Sequence, residues 1–188
     1  MRRRFAGIAS MADDHDISIR ALDAGDLEAL KAMRIRALTL HPDLFLESVE
    51  ATQERPKAYW LETLDNKGKC VFGLYEGTKA IGFTAVFTWR LDSSKKTGIM
   101  AMSFIEPEYR RRGYSSYLYK ARIEFALGHE QWTKLHVSHR EGNNASRAAM
   151  IKHGFGYVNS EEKDFPDGSR DQEHNYELDL IALRSKNQ

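Results

Sequence analysis

The sequence predicts an α/β protein of the α+β type: one mixed, mostly antiparallel sheet with helices packed against it. Three observations carry this. Apolar runs of strand length are interspersed with segments whose apolar residues recur at helical spacing. Two of these runs, 70–75 and 80–87, flank the turn Glu76-Gly77-Thr78-Lys79 and form an antiparallel hairpin. Downstream, strands and helices alternate, which adds parallel neighbours to the antiparallel ones.

The elements follow in order. Ile17-Ser18-Ile19-Arg20 alternates and makes a short first strand. Asp23 or Asp26 can cap a helix to about Leu40, with Leu27, Leu30, Met33, Ala37 and Leu38 as its apolar face. His41-Pro42-Asp43 breaks it. Residues 45–55 are acidic and partly helical, and Pro56 opens a helix over 57–64. Asn66-Lys67-Gly68 is a turn into the hairpin. A polar connector, 91–96, leads to a strand over 97–105, and 115–127 is a helix with Leu118, Ala121, Phe125 and Ala126 on its apolar face. Then come a strand over 133–139, a short helix over 144–153 ended by Gly154, and a strand starting at Tyr157-Val158. Residues 164–173 are a charged loop, 176–180 the last strand, and the final residues a polar tail. The expected division is an N-terminal extension over 1–14, one domain over 15–182 and the tail over 183–188.

With 188 residues the chain suits one domain with a sizeable core. A net charge of +1 gives no bulk electrostatic case for nucleic acid or a membrane surface, and no apolar run reaches the roughly 20 residues of a bilayer span. The single cysteine, Cys70, excludes an internal disulfide framework and a Cys-based zinc site, and no metal is expected. Cys70 opens an apolar run and is expected to be a buried, inert thiol. The basic first ten residues lack the apolar core of a secretory signal and read as an extension in preference to a short organelle-targeting segment, and the single cysteine fits a reducing cytoplasm.

The most informative stretch is Arg110-Arg111-Arg112-Gly113-Tyr114-Ser115, between a strand and a helix start. The first N–H groups of a helix lack internal partners, and that end carries partial positive charge. Gly113 lets the backbone approach a phosphate, and the arginines add charge and fork geometry. A diphosphate is the natural ligand.

A second pattern follows: Leu135-His136-Val137-Ser138-His139, then Asn143, then a helical stretch closing on His153-Gly154-Phe155. Together the two patterns resemble the GNAT acyl-CoA N-acyltransferase superfamily. Its signature, Gln/Arg-x-x-Gly-x-Gly/Ala, fits Arg110 to Ser115 except that Ser115 replaces the final Gly/Ala. Its second motif opens at an Asn and closes on Gly-Phe, as Asn143 and Gly154-Phe155 do. The likeness runs from about residue 17 to 180.

The resemblance implies a twisted sheet whose two central strands splay apart where acetyl-CoA enters as acyl donor. Backbone groups of Ser103, Phe104 and Ile105 would pair with the pantetheine arm as a strand pairs with a peptide, and the N–H of Phe104 or Ile105 would serve as oxyanion donor. The loop from Arg110 to Ser115 would take the diphosphate, with a hydroxyl from Ser115 or Ser116. Asn143 would bond the pantetheine amide, or act as a helix cap. Where the family often carries a thiolate-protonating Tyr, this chain has Met150, which cannot donate a proton.

For the general base, His139 is the leading candidate: it alternates with Leu135 and Val137 beside the expected splay, and an unperturbed imidazole, pKa about 6.5, suits amine deprotonation. It could equally be a packed, satisfied histidine. Glu173 and His174 are weaker candidates. Glu47 and Glu50 could attract a cationic substrate or form a solvated face, and Phe165 with its charged loop could edge the acceptor pocket. The expected activity is transfer of an acetyl group to a primary amine of a small molecule, peptide or protein. The alternative, favoured by Met150, is an acyl-CoA-binding or sensing domain with little turnover. Two chains could pair through an exposed edge strand.

Overall fold

The computed structural model describes residues 16–65 and 67–186. The expected extension over 1–14, Asn66 of the expected turn, and the last two residues of the expected tail lie outside them. The described strands are β1 (Ile17–Ala21), β2 (Lys69–Glu76), β3 (Lys79–Thr88), β4 (Thr97–Ile105), β5 (Lys134–Arg140), β6 (Gly156–Asp164) and β7 (Arg170–Asp179). They form one sheet in the order β1-β2-β3-β4-β5-β7-β6. Every neighbouring pair is antiparallel except β4 with β5.

Local chemistry explains the helices. Asp23 and Asp26 cap each other's backbone N–H groups in a capping box over the 3-10 turn Ala24–Asp26, which feeds α1 (Leu27–Leu40). Ser48 caps α2 (Val49–Gln53) through Ala51 N–H at 3.1 Å. Pro56 precedes α3 (Lys57–Thr63). α4 (Ser115–Leu127) starts with no side-chain cap, whereas Asn143 caps α5 (Asn144–Lys152). A last helix, α6 (Leu180–Lys186), follows β7 directly.

The helices cover both faces. On one, Leu27, Leu30 and Ala37 of α1 and Trp60 of α3 pack on Val71, Phe83, Ala85 and Phe104. On the other, Tyr119, Ala121 and Ala126 of α4 and Met150 of α5 pack on Phe72, Val86, Met100, Leu135 and Val137. Burying a side chain the size of Leu30 or Phe83 contributes about 1.5–3 kcal/mol, so these two layers supply the main driving force. Cys70 is buried here, and burial pushes its thiol up to about 12.

Two expectations are corrected. The charged stretch 164–173 is not a loop: β6 and β7 form a hairpin there, leaving only 165–169 as the turn. Polar residues can occupy both faces of β7 because β6 lies at the solvent edge and the inner side chains find polar partners. The C-terminal segment is helical to Lys186 rather than a tail from residue 183, because Arg184 donates to the carbonyls of Ala126, Leu127, His129 and Trp132.

Candidate active site

Among the described strands, the sheet opens at its one parallel junction. β4 and β5 pair over Thr97–Lys134, Gly98–Leu135 and Ile99–His136, and then diverge. At the joined end Trp132 lies against Gly98, where any Cβ would come within 2.6 Å of the indole. Beyond it, β4 continues to Ile105 and β5 to Arg140 without pairing to each other. The strand edges from Met100 onward therefore border a cleft of about 1220 Å³.

β4 is also kinked. Thr84 of β3 faces the break in register between Phe83–Phe104 and Ala85–Ala101, so β4 carries an extra residue. Met102 there adopts φ 58°, the left-handed region that a Met rarely enters. Ser103, next in the chain, turns its hydroxyl away from the open edge, 2.9 Å from Thr84 Oγ1 and accepting from Arg122 Nη1 at 2.8 Å. Nothing in the sequence signals the bulge, because Met has no preference for that backbone.

At the cleft mouth the chain turns through a 3-10 turn, Pro107–Tyr109, into the basic loop. Arg111 (φ 63°) and Gly113 (φ 81°) both take left-handed conformations. Among the described residues, the backbone N–H groups of Arg111, Arg112, Gly113, Tyr114 and Ser115 reach no protein acceptor; the next, Ser116 N–H, bonds the Gly113 carbonyl. A run of unpaired donors at a helix start has the chemistry to accept an anion.

The arginines divide their labour. Arg111, Gly113, Tyr114 and Ser115 line the cleft, whereas Arg112 and Ser116 do not. Arg112 lies over the Tyr109 ring. Arg110 lines the cleft but is held at the end of β4, donating to the Ile105 carbonyl at 2.8 Å and lying 2.6 Å from His41 Nε2. Burial and then Arg110 push the His41 pKa below its ordinary value.

Asn143 serves as a cap, its Oδ1 accepting from Ser146 N–H at 3.1 Å, and it also lines the cleft. The cap leaves its Nδ2 free. Met150, 2 % exposed, packs in the cleft wall.

β5 presents two different faces to the cleft. His139 shares the α5 face with Leu135 and Val137 and stacks on Tyr176 at 5.5 Å. Its Nδ1 lies 2.8 Å from the Arg140 carbonyl, which can only accept, so Nδ1 carries a proton and, in the neutral imidazole, Nε2 is the nitrogen with the lone pair. Nε2 is buried with no partner. On the opposite face, Ser138 donates to the buried Glu173 at 2.6 Å, and Lys163 pairs with the other carboxylate oxygen. His136 stacks on Trp89, and burial lowers its pKa. His174 pairs with Glu141 outside the cleft.

The side of the cleft bordered by Glu47 and the β6–β7 turn is fastened by arginines. Glu47 is an internal partner rather than a free attractor: Arg34, buried in α1, and Arg55 both bind it, at 3.1 and 3.2 Å. Arg140 ties the β6–β7 turn to β5, donating to Asp167, Asp171 and Ser169, and lies over the Phe165 ring at 4.2 Å. Phe165 thereby reaches the cleft edge. Among the described residues no helix is long and apolar enough to cross a membrane.

The acetyltransferase (GNAT) family model matches residues 34–155. Among solved structures, YncA, a putative acetyltransferase from Salmonella typhimurium with its cofactor acetyl-CoA, superposes with a TM-score of 0.74 at 19% identity, covering 88% of this chain and 94% of that one. A GNAT-family acetyltransferase from Streptococcus pneumoniae gives 0.71 at 17% identity, covering 87% and 99%. Arabidopsis thaliana NAA60, solved with a bisubstrate analogue, gives 0.67 at 13%, covering 87% and 97%. At these identities the likeness is one of fold. No curated protein matches the sequence.

Proposed function

This chain belongs to the acetyltransferase (GNAT) family, and from that premise we propose that it moves an acetyl group from acetyl-CoA to a primary amine by direct attack within a ternary complex. The observation that carries this reading is the cleft between β4 and β5, with a run of unpaired N–H donors at its mouth. The fit to an acyl-CoA is chemical: an anion cradle for a diphosphate, and beyond it an open strand edge for an amide-bearing arm.

Each residue then has a role. The N–H groups from Arg111 to Ser115 hold the diphosphate, with Arg111 adding charge and Ser115 a hydroxyl. The edge of β4 that β5 leaves unpaired, at Ser103, Phe104 and Ile105, binds the arm, with Arg110 already holding the Ile105 carbonyl, and Asn143 Nδ2 meets its amide. An N–H at Phe104 or Ile105 supports the carbonyl oxygen as charge builds there. His139 Nε2, buried and unpartnered, takes the proton of the attacking amine. The acceptor enters from the opposite face, beside Ser138, Glu173, Trp89 and Phe165, and is a small molecule, peptide or protein bearing the amine.

The test is a screen of amines for release of free CoA from acetyl-CoA. Release with a matching N-acetylated product supports the reading. Met150 favours a second reading, an acyl-CoA-binding domain, which would show saturable binding with no release above the protein-free rate for any amine.

A further inference from the structure

α4 buries a charge that no described residue neutralises. Arg122 is 1 % exposed, yet no carboxylate lies within ion-pair distance of it among the described residues. Its Nε donates to the Leu118 carbonyl at 3.0 Å and its Nη1 to Ser103 Oγ at 2.8 Å, while Nη2 has no partner. A buried cation without a counter-charge is strongly unfavourable. Burial lowers the Arg122 pKa only to about 10, so the group stays charged at neutral pH.

Its surroundings add no negative charge. The guanidinium lies over the Tyr119 ring at 4.7 Å, and Tyr119 stacks on His153 at the end of α5 at 4.6 Å. Burial raises the Tyr119 pKa, so the phenol stays neutral, and burial together with Lys152, Arg122 and Lys120 lowers that of His153. β3 and β4 offer the hydroxyls of Thr84 and Ser103, and the imidazole of His139 on β5 lines the same cleft. Arg122, Tyr119, Ser103 and Met150 all line the cleft, at the level of the β4 bulge.

We propose that Arg122 is a positioning residue for thiolate departure: it fixes Ser103 in the bulge and sets an unneutralised positive field where the thioester breaks, in place of the proton donor that Met150 cannot be. The inference rests on the acyl-CoA reading of the cleft. As the amine forms its N–C bond, the C–S bond breaks and its electron pair passes to sulfur. The amine proton goes to His139 Nε2. The sulfur leaves as an anion within the field of Arg122 and is protonated later by water.

The test is the ionisation of free CoA bound to the protein, followed through the ultraviolet band of the thiolate, with desulfo-CoA as blank. In the wild type the bound thiol should ionise at least about one pH unit below free CoA, a tenfold change in its acidity. Arg122→Met should return it to the value of free CoA or above, and lower kcat by roughly 10- to 100-fold. Its CoA affinity should stay within about threefold, since the phosphate loop is untouched, and its Tm should hold or rise, because an apolar side chain of similar length replaces an unpaired buried charge. Ser103→Ala, which removes the strut and keeps the charge, should leave the thiol acidic. Should Arg122→Met fail to fold, Arg122→Lys carries the test and should also keep the thiol acidic. An equal thiol ionisation in wild type and Arg122→Met, with CoA bound to both, would overturn the proposal. So would a fall in Tm with the thiol unmoved, the mark of a purely structural strut. If wild-type protein binds no CoA, the acyl-CoA reading itself fails.

Discussion

Replacing Gly113 with Val separates the phosphate cradle from ordinary loop structure. Gly113 sits at φ 81°, and a Cβ built there meets nothing within 4 Å, so the penalty is conformational rather than steric. Holding an L-residue in the left-handed region costs roughly 1–2 kcal/mol. For a domain of this size that lowers Tm by roughly 2–8 °C. If the backbone relaxes instead, N–H groups swing out of the cradle. Losing one hydrogen bond to a charged phosphate costs about 1.5–3 kcal/mol, a roughly 10- to 150-fold rise in the Kd for CoA. With ligand at about 100 times the wild-type Kd, CoA stabilises the wild type by about 2.7 kcal/mol, and the variant should keep at most about half of that. Thermal denaturation with and without CoA reads both quantities. Gly77→Val is the control: Gly77 sits at φ 55° in the β2–β3 turn, also with open space around a Cβ, and should lose Tm but keep the full CoA shift. A full CoA shift in Gly113→Val would refute the cradle.

His139→Ala should lower kcat by about 10²-fold or more with little change in CoA affinity, because a positioned base contributes about that much; near-wild-type turnover would remove it as the base. Asn143→Ala should lose about 1 kcal/mol of stability with the α5 cap and weaken CoA binding severalfold, read by calorimetry. Arg140→Met should raise the KM for the acceptor, since the turn holding Phe165 loses its tie, and leave that for acetyl-CoA unchanged. It should also alter acid stability. Arg140 and then Ser169 hold the Asp167 pKa down to about 2, so that carboxylate stabilises the fold above its ordinary pKa of about 4 and loses the contribution as pH falls through about 2. In Arg140→Met the Tm should therefore fall less steeply across that window. Cys70 should resist thiol reagents in the native protein and react only on unfolding.

What the sequence showed and hid has physical causes. The β2–β3 hairpin, β4, and the span of α4 were legible because periodicity and turn residues agree there. The turn through Gly113 into α4 was legible because helix starts and glycine geometry are local. The burial of Arg122 was not, although the spacing held a signal: four residues after Leu118 and four before Ala126, it lies on the buried face of α4. The β4 bulge at Met102 left no trace, since tertiary pairing with β3 imposes it. Residues 164–173 misled because β7 satisfies its polar side chains through Lys163 across the hairpin and through Ser138 and Arg140, more distant in sequence. Arg112 and Ser116 looked equivalent to their neighbours, yet one turn of backbone decides which side chains face the cleft.

The central claim, that the cleft between β4 and β5 holds an acyl-CoA with its diphosphate on the backbone of the basic loop, is tested most directly by amide hydrogen exchange with and without CoA. The amides from Arg111 to Ser115 have no acceptor among the described residues, so they should exchange fast in the free protein. CoA should slow those amides and the open edge of β4 from Met100 to Ile105, and leave the β2–β3 turn unchanged. Saturating CoA that protects other segments while the loop amides continue to exchange freely would contradict the account.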